Sequence, residues 1–113
     1  NYKKAIEWYE RAAEQQYVEA QFKLGFMYEE GYVDVNYKKA IEWYEKAAEQ
    51  GLADAQYNLG VMYRHGQGVD KCDSSAMRWF AKAAAQGFEE AQAAIDDILV
   101  ERRSTEQPNK KRP

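Results

Sequence analysis

The side chains that could perform acid–base chemistry in this sequence are Glu29, Glu30 and His65. A carboxylate and an imidazole can serve as a general acid–base pair, but here no Ser/His/Asp or Cys/His motif surrounds them. Gly66-Gln67-Gly68 follows a predicted helix instead of opening one, so we interpret it as a turn and not as a phosphate loop. We therefore expect a protein that is not an enzyme and that needs no cofactor.

A metal site is not indicated either. Cys72 is the single cysteine and His65 the single histidine, too few for a zinc site or an internal disulfide. His65 falls in the last turn of a predicted helix, where the helix dipole favours partial positive charge. This interaction is sufficient to explain a histidine at this position.

An internal repeat organises the elements that carry these side chains. Residues 36–66 match residues 1–31 at 21 of 31 positions, after a shift of 35 residues. A shift of 36 gives a third, weaker copy that includes Trp79, Ala83 and Gly87. A period near 35 is typical of stacked helical units that bury their apolar faces against each other.

Each unit contains two helical patterns. The first, here called the Trp helix, has apolar residues at the 3.6-residue period, and the second, the Gly helix, contains a glycine in its middle. A glycine inside a helix costs about 1 kcal/mol relative to alanine, so Gly25 and Gly60 predict close approach by a neighbouring helix. We expect Asn1, Asn36 and Asp73 to cap the Trp helices. The predicted helices are 2–15, 18–30, 37–50, 53–65, 74–86 and 89 to about 102.

The two ends of the repeat differ. Asp96 replaces the glycine of the last Gly helix, which we interpret as a polar end cap facing water. We predict a solenoid over residues 1–102 and a disordered basic tail over residues 103–113. Tyr2 begins a Trp helix with no Gly helix before it, so we expect either further repeats upstream or another chain over Trp8 and Tyr9.

Composition and charge limit the partners. Residues 1–100 carry 11 basic and 17 acidic side chains, whereas residues 101–113 carry 5 basic and 2 acidic ones. An acidic body argues against nucleic acid as a partner, because phosphate binding needs a basic face. No run of 18 apolar residues is present, which predicts a soluble domain without an integral membrane segment. The compartment stays open, since a leader peptide could precede Asn1.

The repeat resembles a known family. Residues 53–69, Ala-Asp-Ala-Gln-Tyr-Asn-Leu-Gly-Val-Met-Tyr-Arg-His-Gly-Gln-Gly-Val, followed by Ala76-x-x-Trp79-Phe80-x-Lys82-Ala83-Ala84-x-x-Gly87, are similar to the Sel-one-like repeat, a relative of the tetratricopeptide repeat. The resemblance implies a right-handed α-solenoid of antiparallel helix pairs whose Gly helices line the concave side. It also implies an adaptor role. The chain departs from the family in Cys72, in its last helix and in the short turn after Gly31, and it lacks the cysteine pairs of the cysteine-rich members.

The candidate site follows from positions that face the implied groove but differ between the two near-identical units. Variation inside a repeated frame is where partner specificity is expected, although drift on an unused surface gives the same pattern. The predicted groove residues are Lys23, Phe26, Glu29, Glu30, Asn58, Val61, Arg64 and His65.

Two further patterns have simpler interpretations. Trp8, Trp43 and Trp79 recur at one repeat position, as do Tyr28 and Tyr63 at another, and we expect both sets to fill space between stacked helices. An acidic stripe is a secondary candidate patch, but we favour a solvated outer face with ion pairs from Glu7 to Arg11 and from Glu42 to Lys46. The stripe consists of Glu7, Glu10, Glu14, Glu42, Glu45 and Glu49.

The sequence thus predicts a protein–protein interaction module whose groove holds a segment of a protein or peptide partner. Two alternatives remain open: a structural spacer in a larger repeat scaffold, recognisable by self-association or upstream repeats, and an immunity protein that binds a toxin. An enzyme is the least favoured class.

Overall fold

The computed structural model describes residues 1–106, which form six α-helices and no strand. The helices are α1 (Tyr2–Glu14), α2 (Val18–Glu30), α3 (Tyr37–Glu49), α4 (Ala53–His65), α5 (Asp73–Ala85) and α6 (Glu89–Glu106). The radius of gyration is 16.4 Å, against about 13 Å for a compact domain of this length. The prediction of an all-helical repeat fold is confirmed, and its elongated shape is that of a solenoid.

Each helix packs mainly on the helices next to it in the sequence. Buried residues form three clusters, one between α1 and α2, one between α3 and α4, and one between α5 and α6. Trp43 packs against the first cluster, Trp79 against the second, and Tyr28 and Tyr63 each contact two clusters. The expected space-filling role is therefore confirmed for these four aromatic residues, which join one helix pair to the next. It is wrong for Trp8, which is 68% exposed because none of the six described helices packs on that side of α1.

The glycines in the middle of α2 and α4 allow this close stacking. A Cβ atom on Gly25 would lie 2.5 Å from the Tyr44 ring, and one on Gly60 would lie 2.6 Å from the Phe80 ring. Both rings are fully buried. The predicted close approach is confirmed at both glycines, and its cause is an aromatic ring from the following Trp helix.

Glutamine side chains add a second link between units. The buried Gln21 donates from Nε2 to the Ala13 carbonyl and accepts from Nε2 of Gln50 at 2.8 Å. Gln56 and Gln86 repeat this arrangement one unit later, at 3.0 Å. A buried amide must have partners to offset its lost hydration, so each pair constrains the stacking of its two units.

Helix starts agree with the predictions in two of three cases. The Asn1 and Asn36 side chains accept hydrogen bonds from backbone amides in the first turns of α1 and α3. The predicted cap at Asp73 is wrong, because α5 begins at Asp73 itself and the cap position belongs to Cys72. The Cys72 side chain makes no capping hydrogen bond to the helix backbone.

The last helix is longer than expected. It runs to Glu106, four residues beyond the predicted end, and the Thr105 hydroxyl donates to the Glu101 carbonyl at 2.8 Å. Residues 103–106, which were predicted to be part of the disordered tail, therefore belong to α6. The remainder of the predicted tail, 107–113, lies outside the described residues. Asp96 is exposed, as predicted.

Candidate interaction groove

The candidate groove is the surface that carries the eight predicted residues, four on α2 and four on α4. Lys23, Glu30 and His65 are exposed, and Asn58 is half-buried. The two helices lie on either side of α3, since both pack against it. A side chain from α3 could therefore bridge them.

Tyr44 of α3 is that bridge. Its buried hydroxyl donates to the Glu29 carboxylate on α2 at 2.7 Å, and its ring belongs to the buried cluster that joins α3 to α4. Burial, followed by the hydrogen bond and charge of Glu29, raises the pKa of Tyr44 far above its usual value, while the Asn58 hydrogen bond partly opposes the shift. Tyr44 therefore stays neutral and acts as a fixed donor between the two helices.

Three aromatic side chains, Phe26, Tyr32 and Tyr2, form an exposed cluster on the α2 side, here called the aromatic step. The Phe26 ring meets Tyr32 edge to face with centroids 5.9 Å apart, and Tyr32 lies 4.7 Å from Tyr2. Phe26 is 37% exposed, and the two tyrosines are more exposed. The matching residue on α4, Val61, is instead half-buried against the cluster between α5 and α6. Among the described groove residues, the exposed aromatic side chain thus belongs to the first unit.

Two predicted polar residues are engaged inside the protein. Arg64 is only 17% exposed and forms a 3.2 Å salt bridge with Glu101 of α6, while Glu29 accepts from Tyr44. Glu29 and Arg64 occupy the same repeat position. The aromatic residue of the following Trp helix changes with it. Tyr44 has a hydroxyl, and Glu29 accepts its hydrogen bond. Phe80 has no hydroxyl, and Arg64 instead bonds to Glu101.

Tyr44, Tyr32 and Glu101 are absent from the predicted groove residues, because those residues were chosen by comparing Gly-helix positions alone. A signal existed for the first of these, since the change from Tyr44 to Phe80 accompanies the change from Glu29 to Arg64. The contact with Glu101 carried no such signal, because the last helix lies outside the clear repeat.

The acidic stripe is only partly a free surface. Glu10 accepts from the Tyr28 hydroxyl at 3.1 Å, and the pKa of Tyr28 is raised to about 12 by burial and then by Glu10. Burial, and then repulsion from Glu49 and Glu42, raises the pKa of Glu45. The remaining stripe residues, Glu7, Glu14, Glu42 and Glu49, are exposed.

The two predicted ion pairs of this stripe are not among the salt bridges of residues 1–106. The cations lie over tryptophan rings instead, Arg11 at 5.7 Å from the Trp8 centroid and Lys46 at 5.8 Å from that of Trp43. Lys82 and Trp79 repeat this contact at 5.6 Å. A cation over an indole ring gains about 0.5–1 kcal/mol at an exposed site, comparable to or better than a helical ion pair.

Cys72 is the other residue with a shifted pKa. Side-chain hydrogen bonds with Ser74 and then Ser75 lower the pKa of its thiol to about 7. Its sulfur contacts the two hydroxyls at 3.4 and 3.3 Å. Within residues 1–106, no group of three His, Cys, Asp or Glu side chains is placed to hold a metal ion. None of the six described helices has the length and apolar character needed to span a bilayer.

Comparison with known proteins agrees with this architecture. The profile of the Sel1 repeat matches residues 1–17, 18–52 and 53–88. The chain belongs to the Sel1 repeat family. The profile divides the chain so that each complete repeat is a Gly helix followed by a Trp helix, and α1 is the Trp helix of a partial repeat. Sel1 repeats are generally protein–protein interaction scaffolds.

Solved structures share the fold. The uropathogenic Escherichia coli protective antigen c5321 is 44% identical with a TM-score of 0.82, over 86% of this chain and 21% of that one. A Sel1 repeat protein from Oxalobacter formigenes is 41% identical with a TM-score of 0.79, over 84% of this chain and 38% of that one. The chain thus spans about a fifth and two fifths of their lengths. No curated protein matches the chain.

A cysteine-rich member has the same fold. Helicobacter pylori cysteine rich protein B is 32% identical with a TM-score of 0.77, over 83% of this chain and 71% of that one. The present chain has a single cysteine, so its stacking relies on glycine, aromatic and glutamine contacts.

Proposed function

We propose that this Sel1 repeat protein is a non-catalytic adaptor that holds an extended or helical segment of a partner protein in the candidate groove. The supporting observation is the exposed aromatic step of Phe26, Tyr32 and Tyr2, next to two helices that Tyr44 ties together. Exposed aromatic residues on a rigid frame can bury a partner's side chain at low cost in conformational entropy.

The polar residues suggest how a partner would be selected. Lys23 and Glu30 are exposed on α2, the helix that carries Phe26, and Asn58 is half-buried on α4 next to Tyr44. We expect an apolar anchor of the partner to contact Phe26, with charged flanking residues paired to Lys23 and Glu30. Glu29 and Arg64 contribute less, because their intramolecular contacts would have to break.

A defined peptide set tests this placement. Twelve-residue peptides are first selected from a random library for binding to the purified chain. Their affinities for the unmodified chain and for the double variant Phe26→Asp/Asn58→Ala are then measured by fluorescence polarisation. We expect binding to weaken at least about tenfold, as expected when a central aromatic contact is lost. Ala81→Asp, an exposed position on α5, is the matched control and should retain binding within about twofold.

Peptides that bind the double variant as well as the unmodified chain would reject the groove. Peptides that lose binding with Ala81→Asp would place recognition on the Trp helices instead.

A further inference from the structure

A small pocket lies in the candidate groove, between α2 and the start of α4. It is lined by Glu19, Phe22 and Lys23 of α2, by Leu52 just before α4, and by Asp54 in the first turn of α4. Its volume is about 230 Å³, whereas small-molecule sites usually measure about 300–1,000 Å³. The pocket therefore has the size for one side chain of a partner rather than for a whole cofactor.

The inner part of this pocket is apolar. Phe22 and Leu52 are half-buried and pack against the cluster between α3 and α4, and the Phe22 ring lies 5.7 Å from that of Tyr44. Glu19, Lys23 and Asp54 are exposed and form the outer part. An apolar interior with charged groups at its opening suits an amphipathic side chain, which has an apolar stem and a charged end.

The size of Leu52 keeps the pocket open. One unit later, Phe88 stands at the position of Leu52, and Tyr57 stands at that of Phe22. The rings of Tyr57 and Phe88 contact each other with centroids 5.2 Å apart, so the second ring occupies the space beside the first. The smaller leucine leaves the corresponding space beside Phe22 free for a side chain from outside.

The charge at the opening favours a cation. Glu19 and Asp54 each lie in the first turn of their helix, where the positive end of the helix dipole stabilises a carboxylate. Neither takes part in a salt bridge within residues 1–106. Lys23 is the single cation among the lining residues, so two carboxylates against one ammonium give the opening a net charge of −1. A cationic side chain is attracted there, and an anionic one is repelled.

We propose that this pocket, which we call the inter-unit pocket, receives a lysine or arginine side chain of the partner segment. The methylene groups pack on Phe22 and Leu52, and the charged end pairs with Glu19 and Asp54. Phe26 lies one helical turn beyond Phe22 on α2, so one segment can reach both. The proposal rests on the proposed function, because it specifies the chemistry of the segment that the candidate groove holds.

Uncharged analogues of the partner side chain test the pocket. Twelve-residue peptides selected on the full chain are measured by fluorescence polarisation, and we expect those that depend on Phe26 to contain a lysine or arginine. Norleucine for lysine, or citrulline for arginine, should weaken binding at least about fivefold, because a charge-assisted pair is lost. The same replacement should cost under about twofold in the Glu19→Gln/Asp54→Asn chain, which has lost both carboxylates.

Two further variants separate the pocket from general charge effects. Glu14→Gln/Glu49→Gln is the matched control, since it removes two exposed carboxylates from the Trp helices and should change affinity by less than about twofold. Leu52→Phe supplies the larger ring found at Phe88 and should weaken the same peptides at least about fivefold by filling the pocket. Circular dichroism and thermal unfolding verify that each variant is folded.

The outcomes distinguish the pocket from the groove. Peptides that depend on Phe26 but bind the Glu19→Gln/Asp54→Asn chain as tightly as the unmodified one overturn the inter-unit pocket and leave the candidate groove standing. Equal losses with the matched control, unchanged affinity with Leu52→Phe, or Phe26-dependent peptides without basic residues also overturn the pocket. A loss with Glu19→Gln/Asp54→Asn but not with Phe26→Asp/Asn58→Ala rejects the groove contact at Phe26 and supports the pocket by itself.

Discussion

Residues 1–31 and 36–66 are almost the same sequence in two different settings. Trp8 is 68% exposed while Trp43 is half-buried, and Tyr9 is half-buried while Tyr44 is completely buried. The difference arises from neighbours alone, since α3 lies between two Gly helices and α1 contacts one. In a repeat protein, the energetic role of a residue therefore depends on its place in the array as much as on its identity.

The strongest test of this comparison is the same truncation in both units. Tyr44→Ala removes a fully buried ring and should cost about 3–5 kcal/mol of unfolding free energy. Tyr9→Ala should cost under about 1.5 kcal/mol, because a half-buried ring at the edge leaves no closed cavity. Urea unfolding measures both, and equal losses would contradict the neighbour argument.

The glycine position gives the next largest difference. Gly25→Ala places a methyl group 2.5 Å from the Tyr44 ring and should cost about 1–3 kcal/mol despite alanine's better helix propensity. Asp96→Ala, at the matching position of α6, should change stability by less than about 0.5 kcal/mol. Thermal unfolding of the two variants separates the cases. A stable Gly25→Ala protein would show that α2 and α3 can move apart without loss.

Helix capping differs between units by a single residue. Cys72 stands where Asn1 and Asn36 cap their helices, and it lacks the side-chain amide oxygen that accepts from the first-turn backbone in those two helices. Cys72→Asn should therefore stabilise the protein by about 0.5–2 kcal/mol. Cys72→Ala is the control for loss of the thiol alone. Denaturant midpoints that are the same for both variants would refute the capping explanation.

The smallest effect concerns the turn between the paired helices. Gln16 has a φ of 71°, where the corresponding turns use Gly51 and Gly87. A side chain in the left-handed region costs about 1 kcal/mol, so Gln16→Gly should stabilise by about 0.5–1 kcal/mol. The backbone carbonyl of residue 16, which accepts from Gln50, is retained in the variant. A lower midpoint than that of the unmodified chain would show that the glutamine side chain has a compensating contact.

Sequence periodicity predicted the helices well, because each Trp helix and Gly helix has its own apolar pattern. It also located the close contacts at Gly25 and Gly60, since glycine inside a helix needs a steric reason. The contact that ties α2 to α4 through Tyr44 was not predictable in the same way. It depends on a hydroxyl from Tyr44 on α3 and an acceptor from Glu29 on α2. These two residues are close in space but belong to different helices.

The candidate groove shows the same limit. The comparison of units marked Phe26 and Arg64 as informative, yet it could not distinguish an exposed aromatic step from an arginine already paired to Glu101. The aromatic partners Tyr32 and Tyr2 come from a loop and from the start of α1, outside the positions that periodicity compares. Loop conformation and pairing across helices are decided by tertiary contacts, which leave little trace in one sequence.

The glutamine pairs have a consequence for how this architecture can change in evolution. All three turns from a Trp helix to its following Gly helix contain three residues, whereas the two connections in the other direction contain six and seven. The short turns lie where Gln50 and Gln86 contact the preceding unit, so an insertion there would displace an amide from its buried partner. Insertions and deletions should therefore accumulate along one edge of the solenoid only, the edge that carries Tyr32 and Cys72.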